Sequence, residues 1–264
     1  MTMNSSLLKS IDVLMEFSRS TPAMGVTELS ARLGLPKSTT HRILATLMSR
    51  GLIEKLPHEQ YALGKAIIAL SQSVWVNVDI RDRAAAVARS LAEETRESVY
   101  VGVPDQESVL YVYAVETSQR LTARTAVGDR APFYCSAVGK AMLAFLPEEQ
   151  QEAILGDGPL IACTPKTITD RVQLAEELAQ VRERGYAIDD EEHEPATLCI
   201  AAPFWEAENK VAGAISISGR HRRLITTQLP ERAPMVMQAA RSISFRLGFV
   251  ESRPSNFPLA LDRT

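Results

Sequence analysis

Residues 26–50 read VTELSARLGLPKSTTHRILATLMSR, two short apolar-periodic segments separated by a glycine. In the first segment Val26, Leu29 and Leu33 recur at helical spacing. Thr27 offers an N-cap oxygen, and Gly34 supplies the backbone freedom that a helix stop needs. In the second, Pro36 suits the first turn, where its missing N–H costs nothing, and Thr40, Ile43, Leu44 and Leu47 form a stripe to be buried. The other face, from the run KSTTHR at 37–42, carries Lys37, Ser38, Thr39, His41 and Arg42. A helix with a cationic, hydroxyl-rich N-terminal half can enter a major groove, where Lys and Arg meet phosphates and short donors reach base edges. The pattern predicts a helix-turn-helix; its plain rival is a helical hairpin in a bundle.

Working outward, Leu7, Ile11, Leu14 and Met15 predict a preceding helix over 6–19, ended by Ser20-Thr21-Pro22. After Gly51, the strand-like runs 52–56 and 60–63 flank Pro57-His58-Glu59, a turn sequence. Three helices followed by a hairpin make a winged helix, and a generic bundle has no use for a wing whose tip carries Lys55 and His58. Lys55 therefore joins the candidate DNA contacts, whereas Tyr61, inside the alternating run, is expected in the core. Charge agrees with this division. Residues 1–79 hold eight Lys and Arg against six Asp and Glu, a balance of +2, so the remainder carries -5 of the total -3. A basic excess suits phosphate contacts, and the acidic remainder argues against a nucleic-acid role there.

The 264 residues suffice for one small and one medium domain, and 45% hydrophobic with 23% charged residues is an ordinary globular balance. No apolar run approaches a bilayer span, and the opening MTMNSSLLKS lacks the apolar core of a signal peptide, so a cytoplasmic location without membrane contact is expected. Cys135, Cys163 and Cys199 form no CxxC pair, which argues against a disulfide framework and against a zinc finger.

Beyond the wing, 64–79 reads as a connecting helix and 81–97 as a second helix, with a domain boundary at 76–80. Strands are expected at 98–103, 108–115, 120–126, 186–190, 198–204 and 211–218, and helices at 136–146, 147–155, 170–184 and 230–247. Helices bracketing an antiparallel sheet predict an α+β domain.

The stretch GYAIDDEEHEPATLCIAAP at 185–203 closely resembles the signature of the IclR family of bacterial transcriptional regulators. SAVGKAMLAFLP at 136–147 and AISISG at 214–219 match further family blocks, and the likeness runs in order along essentially the whole chain. The resemblance implies a winged helix-turn-helix DNA-binding domain over 1–64, a linker helix over 65–79 and a GAF-like α+β effector-binding domain over 80–250, leaving a tail at 251–264. It also implies assembly as homodimers or homotetramers on double-stranded operator DNA, and a small-molecule effector. Two departures stand out: Ala196 sits where the family more often has Gly, and Thr197-Leu198 precede Cys199 where a basic residue is common.

The residues 189–194, DDEEHE, put five carboxylates and an imidazole together, which suits a metal site, an acid–base pair or a solvated loop. Strand alternation predicts Asp189 and Glu191 on one face, Asp190 and Glu192 on the other. No second His lies at a metal-ligand spacing from His193, so no metal and no cofactor are expected, and Glu191, Glu192 and His193 are read as a loop held by local bonds and partner charges. A pocket for a small organic acid is proposed from the start of a helix at Ser136, Ala137 and Val138 and from Ser216 and Ser218, which share one strand face. By the resemblance, Asp189 and Cys199 complete its polar lining, and Ala131 and Phe133 supply apolar walls. An enzyme is the rival reading, with Cys199 and His193 as a thiol pair or Ser136 and Lys140 as a Ser-Lys pair. Nothing in the sequence constrains Cys199 and His193 to meet, the helix start that the resemblance implies already accounts for Ser136 and Lys140, and a regulator rather than a hydrolase is expected.

Overall fold

In the computed structural model, which describes residues 4–17, 21–72, 75–116 and 127–249 with backbone alone at 72 and 75–79, contacts divide the chain into two compact units, Met1–Val78 and Asp79–Thr264. The first unit opens with α1 (Ser5–Met15), started by Asn4, whose side chain accepts the N–H groups of Ser6 and Leu7. A two-residue strand, β1 (Met24–Gly25), leads into α2 (Val26–Leu33), and α3 (Lys37–Ser49) follows. The hairpin β2 (Ile53–Leu56) and β3 (Gln60–Leu63) closes a small antiparallel sheet in the order β1-β3-β2. Val13, Met24, Leu29, Leu44, Ile53 and Tyr61 form the core of this unit, and Ser30 Oγ donates to Thr40 Oγ1 at 3.1 Å to tie α2 to α3. This is a winged helix-turn-helix, with Tyr61 buried as expected.

Two local expectations are corrected. Thr27 does not cap α2: the cap position belongs to Gly25, which makes no side-chain cap bond, because pairing of Met24–Gly25 with β3 carries the chain straight from strand into helix. Pro36 precedes the first turn of α3, where its carbonyl accepts the N–H groups of Thr39 and Thr40. Gly34 does stop α2, in the left-handed region at φ 62°.

The helices expected on either side of residue 80 also differ. After α4 (Ala66–Gln72), α5 (Trp75–Thr95) runs unbroken through the predicted boundary, since 75–95 contains neither Gly nor Pro to interrupt it. The second unit is then built on six antiparallel strands: β4 (Ser98–Asp105), β5 (Ser108–Val115), β6 (Arg130–Pro132), β7 (Ala187–Asp190), β8 (Leu198–Trp205) and β9 (Val211–Gly219). Their spatial order is β6-β5-β4-β9-β8-β7. The first helix, expected to run to 19, stops at Met15 with Glu16 as its cap, and the strand expected at 120–126 and the tail 251–264 lie outside the described residues.

Alternation along the strands assigns each sheet face a layer. Val99, Val101, Ile200, Ile215 and Ile217 meet α5 and the C-terminal helix α9 (Leu229–Arg246) through Ala84, Ala88, Leu91, Ala240 and Ile243. The opposite face presents Tyr100, Tyr111, Ala201 and Ala214 to α6 (Ala137–Leu143) and, beyond the short α7 (Glu148–Leu155), to α8 (Arg171–Arg184), through Val138, Met142, Leu174, Leu178 and Val181. Helices on both faces of an antiparallel sheet make this an α+β unit. α6 lies close to the chain before it: a Cβ on Gly139 would stand 2.4 Å from the Phe133 carbonyl oxygen, so only glycine lets the helix start approach.

Candidate functional site

On the first unit, α3 turns Thr40, Ile43, Leu44 and Leu47 inward and leaves Lys37, Ser38, His41 and Arg42 exposed, with Thr39 half-buried beside them. One surface thus carries two fixed cations, an imidazole and two hydroxyls. The wing turns through His58 and Glu59, both at positive φ (61° and 56°). Lys55 is exposed but pairs with Glu59 at 2.7 Å, so a phosphate must compete with that carboxylate for it.

In the second unit, register brings distant residues into rows. Asp189 stands opposite Cys199 and Cys199 opposite Ser218, while Ala201, Ser216 and Tyr100 make the next row. Asp189, Cys199, Ser216 and Ser218 all point to the α6 side of the sheet, and Cys199 Sγ lies 3.4 Å from Ser218 Oγ. Together with Ser136, Ala137 and Val138 they line one cleft, which also takes in Tyr100, Tyr111, His193, Glu194 and Thr197. It encloses about 340 Å³ counted to its open mouth, but only about 20 Å³ admits the centre of a water molecule. That is room for about one water, so the cleft is nearly shut in this conformation.

Ala131 and Phe133 are not among the lining residues; each is 1% exposed and packs in the core with α6. They lie on β6 and just after it, where a three-residue edge strand turns its apolar side chains into the layer that carries the helix rather than into the cleft. The tyrosines escaped the sequence reading, and His193, Glu194 and Thr197 were noted there as loop residues without being placed in the cleft. Alternation in β4 and β5 was available as a signal for Tyr100 and Tyr111, but not which face the cleft occupies.

The start of α6 donates less than its position suggests. Ser136 Oγ accepts the Gly139 N–H at 3.1 Å and itself donates to the Pro132 carbonyl at 2.8 Å, while the Lys140 N–H bonds the Ser136 carbonyl. This leaves at most Ala137 and Val138 to face a ligand, and it occupies the Ser136 hydroxyl as a cap.

The acidic loop departs from strand alternation. β7 ends at Asp190 and Glu191 takes φ 61°, which reverses the chain, so Asp189 and Glu192 turn inward while Asp190 and Glu191 turn out. Asp190 meets Arg222 at 2.8 Å and Lys166 at 3.1 Å, and Glu191 meets Lys166 at 2.7 Å, all at the surface. Asp190 and Glu191 are held below the usual carboxylate range by these cations, Arg222 foremost for Asp190 and Lys166 for Glu191. Inside, Glu192 accepts from the buried Lys140 at 2.5 Å, an ion pair spanning 52 residues, with Glu177 3.6 Å from the same ammonium. Burial lifts the Glu192 carboxyl above its ordinary range against the pull of Lys140. Lys140 is therefore committed to a structural pair rather than to Ser136 chemistry. The loop closes through Ala196 at φ 56°, a conformation that glycine adopts freely and alanine at a cost.

Asp189 is the buried carboxyl of the cleft, and burial perturbs it strongly. Its Oδ1 accepts the N–H of Glu192 at 2.7 Å and of His193 at 3.4 Å, yet burial pushes its carboxyl from 3.8 up to about 7, with the Glu192 charge adding to the rise. Burial likewise holds the His193 imidazole below its ordinary value and raises the Tyr111 phenol. The cleft is thus lined by hydroxyls, a thiol, a largely neutral imidazole and a carboxyl poised between its two forms. Among the described residues, no three His, Cys, Asp or Glu side chains gather as a metal set, and no helix is long and apolar enough to cross a membrane.

A winged helix-turn-helix joined to a sheet unit with a shut polar cleft defines a DNA-binding regulator that senses a small molecule. Comparison with known proteins makes the class specific. The family model described as Bacterial transcriptional regulator IclR C-terminal matches residues 72–245, and that described as IclR helix-turn-helix domain matches 6–57. The chain belongs to the IclR family of bacterial transcriptional regulators. It is 31% identical to the HTH-type transcriptional regulator XynR of Escherichia coli over 92% of this chain and 97% of that one. It is 32% identical to the transcriptional repressor IclR of the same organism, over 92% and 90%. A crystal structure of the Thermotoga maritima IclR superposes with a TM-score of 0.78 at 27% identity, covering 92% of this chain and 99% of that one. An IclR homolog from Microbacterium hydrocarbonoxydans, solved in complex with 4-hydroxybenzoate, has the same fold, with a TM-score of 0.83 at 24% identity over 92% and 99%. These relatives are regulators and repressors by name, not enzymes, and this chain is a transcriptional regulator with a DNA-binding and an effector-binding part.

Proposed function

We propose that the cleft behind Ser216 and Ser218 is the effector site, that its ligand is a small carboxylate, and that occupancy changes how the protein holds operator DNA. The observation that carries this reading is the pair of buried hydroxyls beside Asp189 and Cys199, with a carboxyl raised to about 7 in place of a fixed charge. A bound carboxylate would be repelled by an ionised Asp189, but the protonated form can donate to it. Two serine hydroxyls and one neutral carboxyl make a donor set suited to an anion, and the two tyrosines supply flat apolar walls. Because the cleft is nearly shut, a ligand must select or create a more open state, and that change of population is what can reach the DNA-binding unit.

For the DNA, Lys37, Ser38, Thr39, His41 and Arg42 form the reading surface, with Lys55 as a wing contact released from Glu59. One recognition helix reads too few base pairs for useful affinity, so the protein acts as a homodimer or tetramer on paired half-sites. Its place of action is the cytoplasm, with the operator.

The test is Ser216→Ala with Ser218→Ala, compared with wild type against a panel of small carboxylic acids that includes 4-hydroxybenzoate. A ligand that protects the wild type thermally should lose affinity by one to several orders of magnitude, since a donor to a charged acceptor contributes roughly 1.5 to 3 kcal/mol. Operator affinity without ligand should stay near wild type. Undiminished ligand binding by the double variant would put the effector elsewhere.

A further inference from the structure

The geometry points to Cys135 and Cys163 as a thiol pair that a peroxide closes into a reversible disulfide, stapling together the two segments that frame the cleft. Their sulfurs lie 3.6 Å apart, in contact, although the residues are 28 positions apart in sequence. A disulfide needs about 2.05 Å between sulfurs, a closure of about 1.5 Å from the contact already made. The two thiols differ in a useful way: Cys163 is exposed and Cys135 fully buried. Burial, with Cys163 close by, raises the Cys135 thiol far above its ordinary value, so the exposed Cys163 sulfur is the first to meet and react with an oxidant.

The chemistry then balances. The Cys163 sulfur attacks hydrogen peroxide, an S–O bond forms as the O–O bond breaks, and the sulfenic acid and one water result. Cys135 sulfur attacks that sulfenyl sulfur; the S–S bond forms, the S–O bond breaks, and hydroxide leaves with the Cys135 proton as a second water. Two thiols have given two electrons to one peroxide. Burial of Cys135 makes the second step slow near neutrality and faster as the pH rises.

Where the bridge would fall gives it a consequence. Cys135 adjoins Ser136, the cap of α6, which begins the wall of Ala137 and Val138. Cys163 begins a short segment whose Thr164 and Thr167 hydroxyls donate to the carbonyls of Glu191 and Glu192, both at 2.6 Å, inside the acidic loop that frames the other side. Tyr134 already donates to the Ile161 carbonyl at 2.8 Å, so the two segments lie side by side before any bond forms. A covalent link there restrains both walls of a cleft that must open. The bridge itself does not depend on what the cleft binds.

Full-length protein treated with a modest excess of hydrogen peroxide should lose two of its three thiols. Unreduced tryptic digestion should join the peptide 131–140 to the peptide 141–166, about 2 Da lighter than the sum of the two thiol forms, and dithiothreitol should separate them. Cys163→Ser, altered at an exposed position, should keep both remaining thiols under the same treatment. Backbone amide exchange in 131–140 and 185–210 should slow in the oxidised protein and recover on reduction. Retention of three thiols, irreversible oxidation of Cys163 alone, a bridge from Cys135 to Cys199, a bridge between two copies, or unchanged exchange after bridging would each overturn the proposal. Failure of any acid to bind the cleft, with the bridge formed, would count against the effector reading only.

Discussion

Replacing Asp189 with Asn should change how stability depends on pH. Asp189 is 2% exposed, and burial pushes its carboxyl from 3.8 up to about 7. The native state therefore holds a proton that the unfolded chain has released. Stability tied to the neutral carboxyl is complete below about 3.8 and is lost as the pH rises through about 7. A rise from 3.8 to about 7, at about 1.4 kcal/mol for each tenfold change, is about 4 kcal/mol in full, of which somewhat more than half falls between pH 5 and pH 8. Asparagine keeps the Oδ1 that accepts from the Glu192 and His193 N–H groups and cannot ionise. Urea unfolding of both proteins at several pH values between 5 and 8 measures the difference directly, and groups common to both cancel. The wild type should lose about 2 to 3 kcal/mol more than the variant over that range. Parallel stability curves would mean that Asp189 ionises as an ordinary carboxylate, and the neutral donor proposed for the ligand would go with it.

Other outcomes follow from the same geometry. Arg42→Ala and Lys37→Ala should each weaken operator binding and lower the salt slope by about one, read by fluorescence anisotropy across a salt series; two unchanged slopes would remove α3 from the interface. Lys140→Met leaves the Glu192 carboxyl buried without its cation, because Glu177 has Arg184 at 2.7 Å as a partner of its own. Stability should fall by about 3 kcal/mol near neutrality and by less as the pH is lowered, because the Glu192 carboxyl already stands above its ordinary range and protonation removes the stranded charge; a loss independent of pH would point to packing instead. Light scattering should give a species larger than the 29.0 kDa monomer at micromolar concentration, with and without operator DNA; a monomer under both conditions would contradict the paired half-site reading.

The recognition unit was legible because its signals are local. Gly34, the stripe Thr40-Ile43-Leu44-Leu47 and the two strand runs around Pro57 lie within a few turns of one another, and periodicity over such spans reflects which face must leave water. The same holds for Ser216 and Ser218, whose shared face needs only the two-residue repeat of a strand. Where local rules met competing long-range contacts, they failed. Thr27 was a good cap that β1 pairing made unnecessary, and alternation could not foresee the left-handed Glu191 that turns Glu192, rather than its neighbour, inward.

Composition and periodicity by themselves determined that this chain carries a winged helix-turn-helix and an α+β unit, and its motifs pointed to the family. Only the tertiary structure decided which residues meet. The row of Asp189, Cys199 and Ser218 is set by strand register, the Lys140–Glu192 pair by α6 crossing to a loop 52 residues away, and the place of Ala131 and Phe133 behind the cleft by which face of an edge strand the helix covers. The physical reason is common to all three. A side chain's direction is fixed by its own backbone, but its partner is fixed by the burial of surfaces drawn from the whole domain, and no window of sequence contains both sides of that contact.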